Sequence, residues 1–83
     1  MADDLVRQHL LEQIALAERH LVQTDAQIAE QRRRIVWQER MGHDSARAKE
    51  LLQTYINVRA GQIAHHDRLI LELGEHTSAR ALS

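Results

Sequence analysis

Two adjacent histidines, His65 and His66, are the residues of this sequence that most invite a chemical interpretation. They stand in the segment GQIAHHDRLIL, and a helical hairpin with its turn at residues 42–44 would bring His20 opposite one of them. Neighbouring residues diverge by about 100° on a helix, whereas helical ligands of one metal usually stand three or four residues apart. We therefore expect no metal and no cofactor here, with His20, His65 and His66 as the candidates if the protein does respond to metal or pH.

The same three histidines have a structural interpretation as polar residues between packed helices. A buried polar residue can fix the register of a coiled coil. Imidazoles packed together also repel one another once they are protonated near pH 6, which would make such an interface pH-sensitive. The three histidines are therefore predicted to lie in a helix–helix seam. His43 and Asp44, which are adjacent to each other in the predicted turn, are not expected to be catalytic.

The composition predicts an all-α protein. The 83 residues include no proline, phenylalanine or cysteine, and helix formers such as Leu, Ala, Gln, Glu and Arg dominate. The absence of cysteine excludes disulfides and thiolate chemistry. The start MADDLVRQHL lacks the pattern of a signal peptide, and no apolar run is long enough to span a membrane, so we expect a cytoplasmic protein without membrane contact.

The sequence predicts a single helical-hairpin domain over residues 1–83. A helix is expected over about 3–41, because nothing in that range breaks one. Gly42 can supply the left-handed residue that ends it, and Asp44 or Ser45 can cap the next helix. The second helix is expected over about 45–73, with Gly74 ending it and a frayed tail at 74–83.

Apolar residues recur at alternating spacings of four and three, which indicates a heptad seam along both helices. The seam of the first helix grows more polar toward the turn, where Thr24, Gln31 and Gln38 occupy it. The second helix carries two such rows about 100° apart, one of them containing Tyr55. The predicted interface residues are Leu10, Ile14, Leu21, Ile28, Ile35, Leu52, Tyr55, Ile56, Ile63, Ile70 and Leu73.

Each helix also has a second apolar row, which on the first helix is Ala15, Val22, Ala29 and Val36. One hairpin covers only one face of each helix, and a domain this small has little stability to spare. The sequence therefore predicts a homodimer in which two hairpins form a four-helix bundle or coiled coil. Another helical protein is the other partner that such a surface would fit.

Charge is divided along the predicted hairpin. Residues 30–61 hold seven basic and four acidic residues, a net charge of +3, whereas residues 1–29 total −3. The segment QRRRIVWQER places Arg32, Arg33, Arg34 and Arg40 around Trp37. These arginines could contact phosphates of a nucleic acid, orient a dimer, or simply form a solvated helix face, and the last is the interpretation that we favour.

The runs ERMGHDSARAKELLQTY and HHDRLILEL resemble short helical-hairpin proteins of soil α-proteobacteria. The resemblance covers most of residues 10–73 and implies the hairpin fold. It implies no activity and transfers no site residue. The hairpin design is also similar to that of small plasmid-copy-number regulators, which dimerise and bind RNA loops, but no motif is shared with them.

No nucleophile–base arrangement, glycine-rich phosphate loop or inward-facing carboxylate cluster is visible in the sequence. We therefore expect a protein that is not an enzyme. The predicted function is a structural or regulatory oligomerisation module that acts through helix packing between proteins. A nucleic-acid-binding regulator using Arg32–Arg40 is the first alternative, and a pH- or metal-responsive bundle is the second.

Overall fold

The computed structural model describes the backbone of residues 2–82 and the side chains of residues 2–79. These residues form two α-helices, α1 (Ala2–Arg40) and α2 (Ala46–Leu82), which pack against each other along their length. The molecule measures 65 × 14 × 13 Å. The all-α prediction is confirmed, and so is the packing of two long helices. Neither helix of the described residues is apolar enough over a sufficient length to cross a membrane.

The turn follows the chemistry that its sequence predicts. Gly42 has a φ of 74°, and the N–H of His43 donates to the carbonyl of Gln38 at 2.8 Å while the N–H of Gly42 donates to Glu39 at 3.2 Å. These two hydrogen bonds form a Schellman motif, which satisfies carbonyls at the end of α1. Asp44 Oδ1 then accepts a hydrogen bond from the N–H of Ala46 at 3.0 Å and caps α2.

The seam of α1 lies where the heptad pattern places it. Leu21 and Gln38 are half-buried, and the other seam residues are buried. An apolar cluster at the end remote from the turn joins α1 to Leu69 of α2, with Leu73 packed against it. The buried residues of α1 are Leu10, Ile14, Ala17, Thr24, Ile28, Gln31 and Ile35.

The seam of α2 draws alternately on the two predicted rows. The packed side chains, at spacings of three and four, are those of Leu52, Tyr55, Arg59, Gln62, His66, Leu69 and Leu73. Ile56 and Ile63 are half-buried beside this stripe, and Ile70 is 46% exposed. Two helices in contact cover a single stripe, and here the stripe runs between the two rows.

The predicted end of α2 at Leu73 is wrong, because the helix continues to Leu82. Gly74 lacks the positive φ that a helix-ending glycine adopts, and no proline follows to stop the helix. His76 Nε2 lies 3.1 Å from the carbonyl oxygen of Asp3, so the extension packs against the start of α1. The residues predicted to fray are therefore helical as far as they are described; Ser83 lies outside the described residues.

We predict opposite effects from adding a methyl group at two glycines. A Cβ at Gly61 would meet no atom within 4 Å, so Gly61→Ala should raise the free energy of unfolding by about 1 kcal/mol through helix propensity. Gly42→Ala should lower it by about 1 kcal/mol, because the left-handed backbone is unfavourable for alanine. Urea unfolding followed by circular dichroism measures both values. A destabilising Gly61→Ala would contradict this prediction and place another surface against Gly61.

Candidate functional site

His66 is the histidine that the seam engages. Its Nε2 lies 3.4 Å from Glu18 Oε1, and its Nδ1 lies 3.8 Å from the carboxylate of Asp67. The side chain is 23% exposed, whereas that of Glu18 is 61% exposed. The contact therefore sits at the border of the seam, where it ties α1 to α2 without being sealed from water.

The predicted alignment of His20 with His65 or His66 is wrong. His20 and His65 are both exposed, and Glu18 takes the place opposite His66 that His20 was expected to take. A difference of two residues along a helix turns a side chain by about 200°. An error of two residues in the predicted alignment of the two helices therefore removes the contact. In the described residues, no three His, Asp or Glu side chains are grouped so that they could hold a metal ion.

Two of the four arginines near the turn are engaged by one carboxylate. Arg33 Nη2 lies 2.8 Å from Glu30, and Arg34 Nε lies 3.8 Å from it. The hydrogen bond from Arg33, followed by the charge of Arg33, lowers the pKa of Glu30 below its ordinary value. Because Glu30 stays ionised at neutral pH, it offsets part of the positive charge of this segment.

Arg32 and Arg40 have no hydrogen bond or ion pair with the described part of the chain. Together with Arg33, Val36 and Trp37 they line a shallow concavity of about 360 Å³ on the outer surface of α1. Trp37 is 56% exposed and packs edge-to-face against His43, with ring centroids 5.4 Å apart. The indole ring therefore meets His43 while most of its surface faces solvent beside the arginines.

One side of the hairpin carries aliphatic rows of both helices with charged residues between them. A concavity between the helices is lined by Asp25, Ile28, Arg32, Ile56 and Arg59, which places Asp25 and Arg32 of α1 beside Ile56 of α2. Residues three or four apart share a helix face. Val22 precedes Asp25 by three residues, and Val36 follows Arg32 by four, so both lie on this side.

We call this surface the apolar face. On α1 it consists mainly of the residues spaced by seven in the row that contains Val22. On α2 it consists of the residues spaced by seven that begin with Ile56. Val22 is 69% exposed and Val36 is 49% exposed, although both are aliphatic. The residues of the apolar face are Leu11, Ala15, Val22, Ala29 and Val36 of α1 and Ile56, Ile63 and Ile70 of α2.

The acidic side chains that border the apolar face on α1 are paired with α2 of the same hairpin. Asp25 Oδ1 lies 2.5 Å from Arg59 Nε, and Glu39 Oε1 lies 3.1 Å from Lys49 Nζ. Glu18 has its contact with His66. The pairing lowers the cost of covering this surface, because an unpaired carboxylate would lose its hydration without compensation.

The sequence indicated the α1 row of this face but not its α2 partner. Ile56, Ile63 and Ile70 were predicted as seam residues, whereas the hairpin places them beside the seam. The contacts of Asp25 and Glu18 were also missed. A turn centred on residue 43 makes the numbers of facing residues add to about 86, whereas those of Asp25 and Arg59, and of Glu18 and His66, add to 84.

Comparisons with known proteins identify no relative of this chain. No family model matches the chain, and neither a curated protein nor a solved structure matches it. The resemblance to short α-proteobacterial hairpin proteins therefore stays a prediction. The site has to be interpreted from its own geometry.

We predict that the Asp25–Arg59 contact adds little to stability. Both side chains are about half exposed, at 54% and 43%, and such pairs contribute roughly 0–1 kcal/mol. A double-mutant cycle with Asp25→Asn and Arg59→Gln should give a coupling free energy of no more than about 1 kcal/mol, which falls in 1 M salt. Ile28→Ala, in the same part of the seam, should cost about 2 kcal/mol or more. A coupling larger than the cost of Ile28→Ala would mean that ionic contacts, not apolar packing, hold the helices together.

Proposed function

We propose that the protein is a homodimeric oligomerisation module in which the apolar faces of two hairpins pack together as a four-helix bundle. Its role is structural or regulatory, exerted through helix packing between proteins, and it involves no catalysis. The second copy is the occupant that a self-complementary aliphatic surface fits, because a two-fold dimer buries the same patch on both subunits.

The observation that carries this proposal is the incomplete core of the single hairpin. Among the described residues no side chain is fully buried, and the apolar cluster is confined to one end. In contrast, Val22, Val36 and Ile70 are at least 46% exposed on one continuous side. A chain of this size gains only a small net stabilisation from one narrow stripe after the entropy of ordering two long helices, so covering the apolar face would add to its stability.

The dimensions of the hairpin fit a stable interface. A face of 65 × 14 Å has a footprint of about 900 Å², which is close to the roughly 800 Å² per partner of a standard protein interface. The apolar residues occupy the central part of this footprint, since residues 11–36 of α1 span about 38 Å at a rise of about 1.5 Å per residue. The area is therefore sufficient for a specific dimer.

The opposite side of the hairpin is less suited to self-association. It also carries exposed aliphatic residues, including Leu51 and Val58. However, a concavity on that side is lined by Gln27, Glu30 and Arg34 around Tyr55, and the exposed His20 and His65 lie there as well. Gln27, His20 and His65 have no hydrogen bond or ion pair in the described residues, so covering them would require new partners, and the apolar face is the preferred contact surface.

We predict that Val22→Asp yields a folded or destabilised monomer, whereas Val58→Asp leaves the dimer intact. Val22 is 69% exposed in the hairpin, so the substitution leaves the seam untouched and acts on whatever covers the apolar face. A carboxylate buried there without a partner would cost several kcal/mol. Val58→Asp is the matched control, because it introduces the same charge at an exposed valine on the other side. Sedimentation equilibrium gives the mass, and circular dichroism reports folding.

A wild-type chain that sediments as a monomer at micromolar concentration would overturn the homodimer. If Val22→Asp and Val58→Asp had equal effects on the mass, the assignment of the face would be wrong. If the wild-type chain were a monomer that bound a different helical protein, and Val22→Asp abolished that binding, the apolar face would be the binding site for that protein. Self-association would then be rejected.

A second candidate function is binding of single-stranded nucleic acid. It is favoured by the concavity in which the exposed Trp37 lies beside Arg32, Arg33 and Arg40. An aromatic ring can stack on a base while guanidinium groups contact phosphates, and such binding is not sequence-specific. The engagement of Arg33 by Glu30 and the presence of one tryptophan on this surface weigh against it.

This candidate predicts a steep salt dependence. Affinity for a fluorescent oligonucleotide should fall linearly with salt on a logarithmic scale, with a slope of about −0.7 per phosphate contact. Arg32→Glu with Arg40→Glu should abolish binding, and Trp37→Ala should weaken it at every salt concentration. Arg47→Glu, an exposed arginine of α2, is the control. Binding that is absent at low salt, or insensitive to Arg32→Glu, would exclude this function.

A further inference from the structure

The central part of each row of the apolar face is symmetric about its middle residue. On α1, Val22 stands between two alanines at a distance of seven residues, and on α2, Ile63 stands between two isoleucines at the same distance. The rows extend over Gln8, Ala15, Val22, Ala29 and Val36 and over Lys49, Ile56, Ile63, Ile70 and Thr77. The inner three positions of each row therefore read the same in both directions, whereas the outer positions differ in residue type.

Val22 and Ile63 also lie level with each other in the hairpin. The contact between Asp25 and Arg59 lies just on the turn side of them, and the contact between Glu18 and His66 lies just on the other side. Val22 is the midpoint of α1 to within one residue, since the helix covers Ala2–Arg40. The two centres of symmetry therefore fall at the middle of the molecule.

We propose that the two hairpins pack antiparallel, with a two-fold axis crossing the apolar face at the level of Val22 and Ile63. This inference rests on the homodimer proposed above and specifies its geometry. A two-fold axis in the plane of the face and perpendicular to the helices places α1 on the partner's α1 and α2 on the partner's α2. The turn of each hairpin then lies over the chain termini of the other.

Near its centre, the axis matches residues of the same type across the interface. Ala15 becomes level with the partner's Ala29, and Ile56 becomes level with the partner's Ile70. Small residues on α1 allow its two copies to approach closely, while the isoleucines fill the wider space between the copies of α2. A parallel dimer would instead pack α1 against the partner's α2 and set alanines against isoleucines along the face.

Charge favours the same orientation. With the axis at Val22, Arg40 is level with the partner's Asp4, and Arg32 is level with the partner's Glu12. Arg32 and Arg40 have no ion pair within the described hairpin, so neither guanidinium group would have to leave an existing ion pair to make these contacts. A parallel dimer would place the two basic segments, each with a net charge of +3 over residues 30–61, side by side.

Distances between spin labels on the dimer distinguish the two orientations. The chain has no cysteine, so a single label can be attached after His43→Cys in the turn or Gln23→Cys near the middle, both at exposed positions. In the antiparallel dimer the two labels at position 43 should be roughly 60 Å apart, from a rise of about 1.5 Å per residue. The labels at position 23 should lie within roughly 30 Å, because they flank the axis.

The outcomes separate this inference from the proposed function. A short distance at both positions, in a protein with the mass of a dimer, would overturn the antiparallel arrangement and leave the homodimer standing. A monomer mass, with no dipolar coupling at either position, would overturn the homodimer itself. A long distance at position 43 together with a short one at position 23 is the expected result.

A charge exchange tests the pairing of Arg32 with Glu12. Arg32→Glu should raise the dimer dissociation constant at least about threefold at low salt, and Arg32→Glu combined with Glu12→Arg should restore it. Arg47→Glu is the control, because it removes the same charge near the turn but lies nine residues from Ile56 and thus on the opposite side of α2. Failure of the double variant to recover, or an equal effect of Arg47→Glu, would overturn the pairing.

Discussion

Two helices in contact can cover only one narrow stripe of side chains on each, and this geometric limit governs the whole protein. α1 and α2 each carry more apolar surface than one stripe can hold. Part of this surplus lies on the apolar face, where Val22 is 69% exposed and Val36 and Ile70 are about half exposed, and part lies on the opposite side at Leu51 and Val58. The packing of α1 against α2 therefore also creates the candidate site, because the apolar face consists of apolar residues that this packing does not bury.

The seam itself is not an efficient apolar core. Its dry part is the cluster of Leu10, Ile14, Ala17 and Leu69, remote from the turn. Closer to the turn, Gln31 donates a hydrogen bond to the carbonyl of Ala48 at 2.9 Å, and the side-chain oxygen of Gln38 is buried without a partner in the described residues. A polar group in a helix seam aligns the helices at a cost in stability. The seam thus specifies the register well and contributes modestly to the free energy of folding.

How far the sequence predicts the structure depends on whether one row or two compete for the seam. α1 offers one dominant stripe, so its buried residues follow from spacing alone. α2 offers two rows about 100° apart, and only the partner helix decides that the seam runs between them, through Tyr55 and Leu69 as well as Leu52. The histidines show the same limit, because an error of two residues in level replaces His20 by Glu18. Gly74 shows a second limit of prediction from sequence. A glycine ends a helix in this way only where its backbone adopts a positive φ, as Gly42 does and Gly74 does not.

The arginines around Trp37 connect the candidate functions. In the proposed antiparallel dimer, Arg32 and Arg40 would flank the interface and face the acidic end of the second copy, where protein carboxylates would occupy them. Binding of a nucleic acid would need the same guanidinium groups for phosphates, and both contacts are weakened by salt. The two uses therefore exclude each other at a single site. A chain that served both would bind nucleic acid as a monomer and release it on dimerisation, which makes self-association and ligand binding one coupled equilibrium.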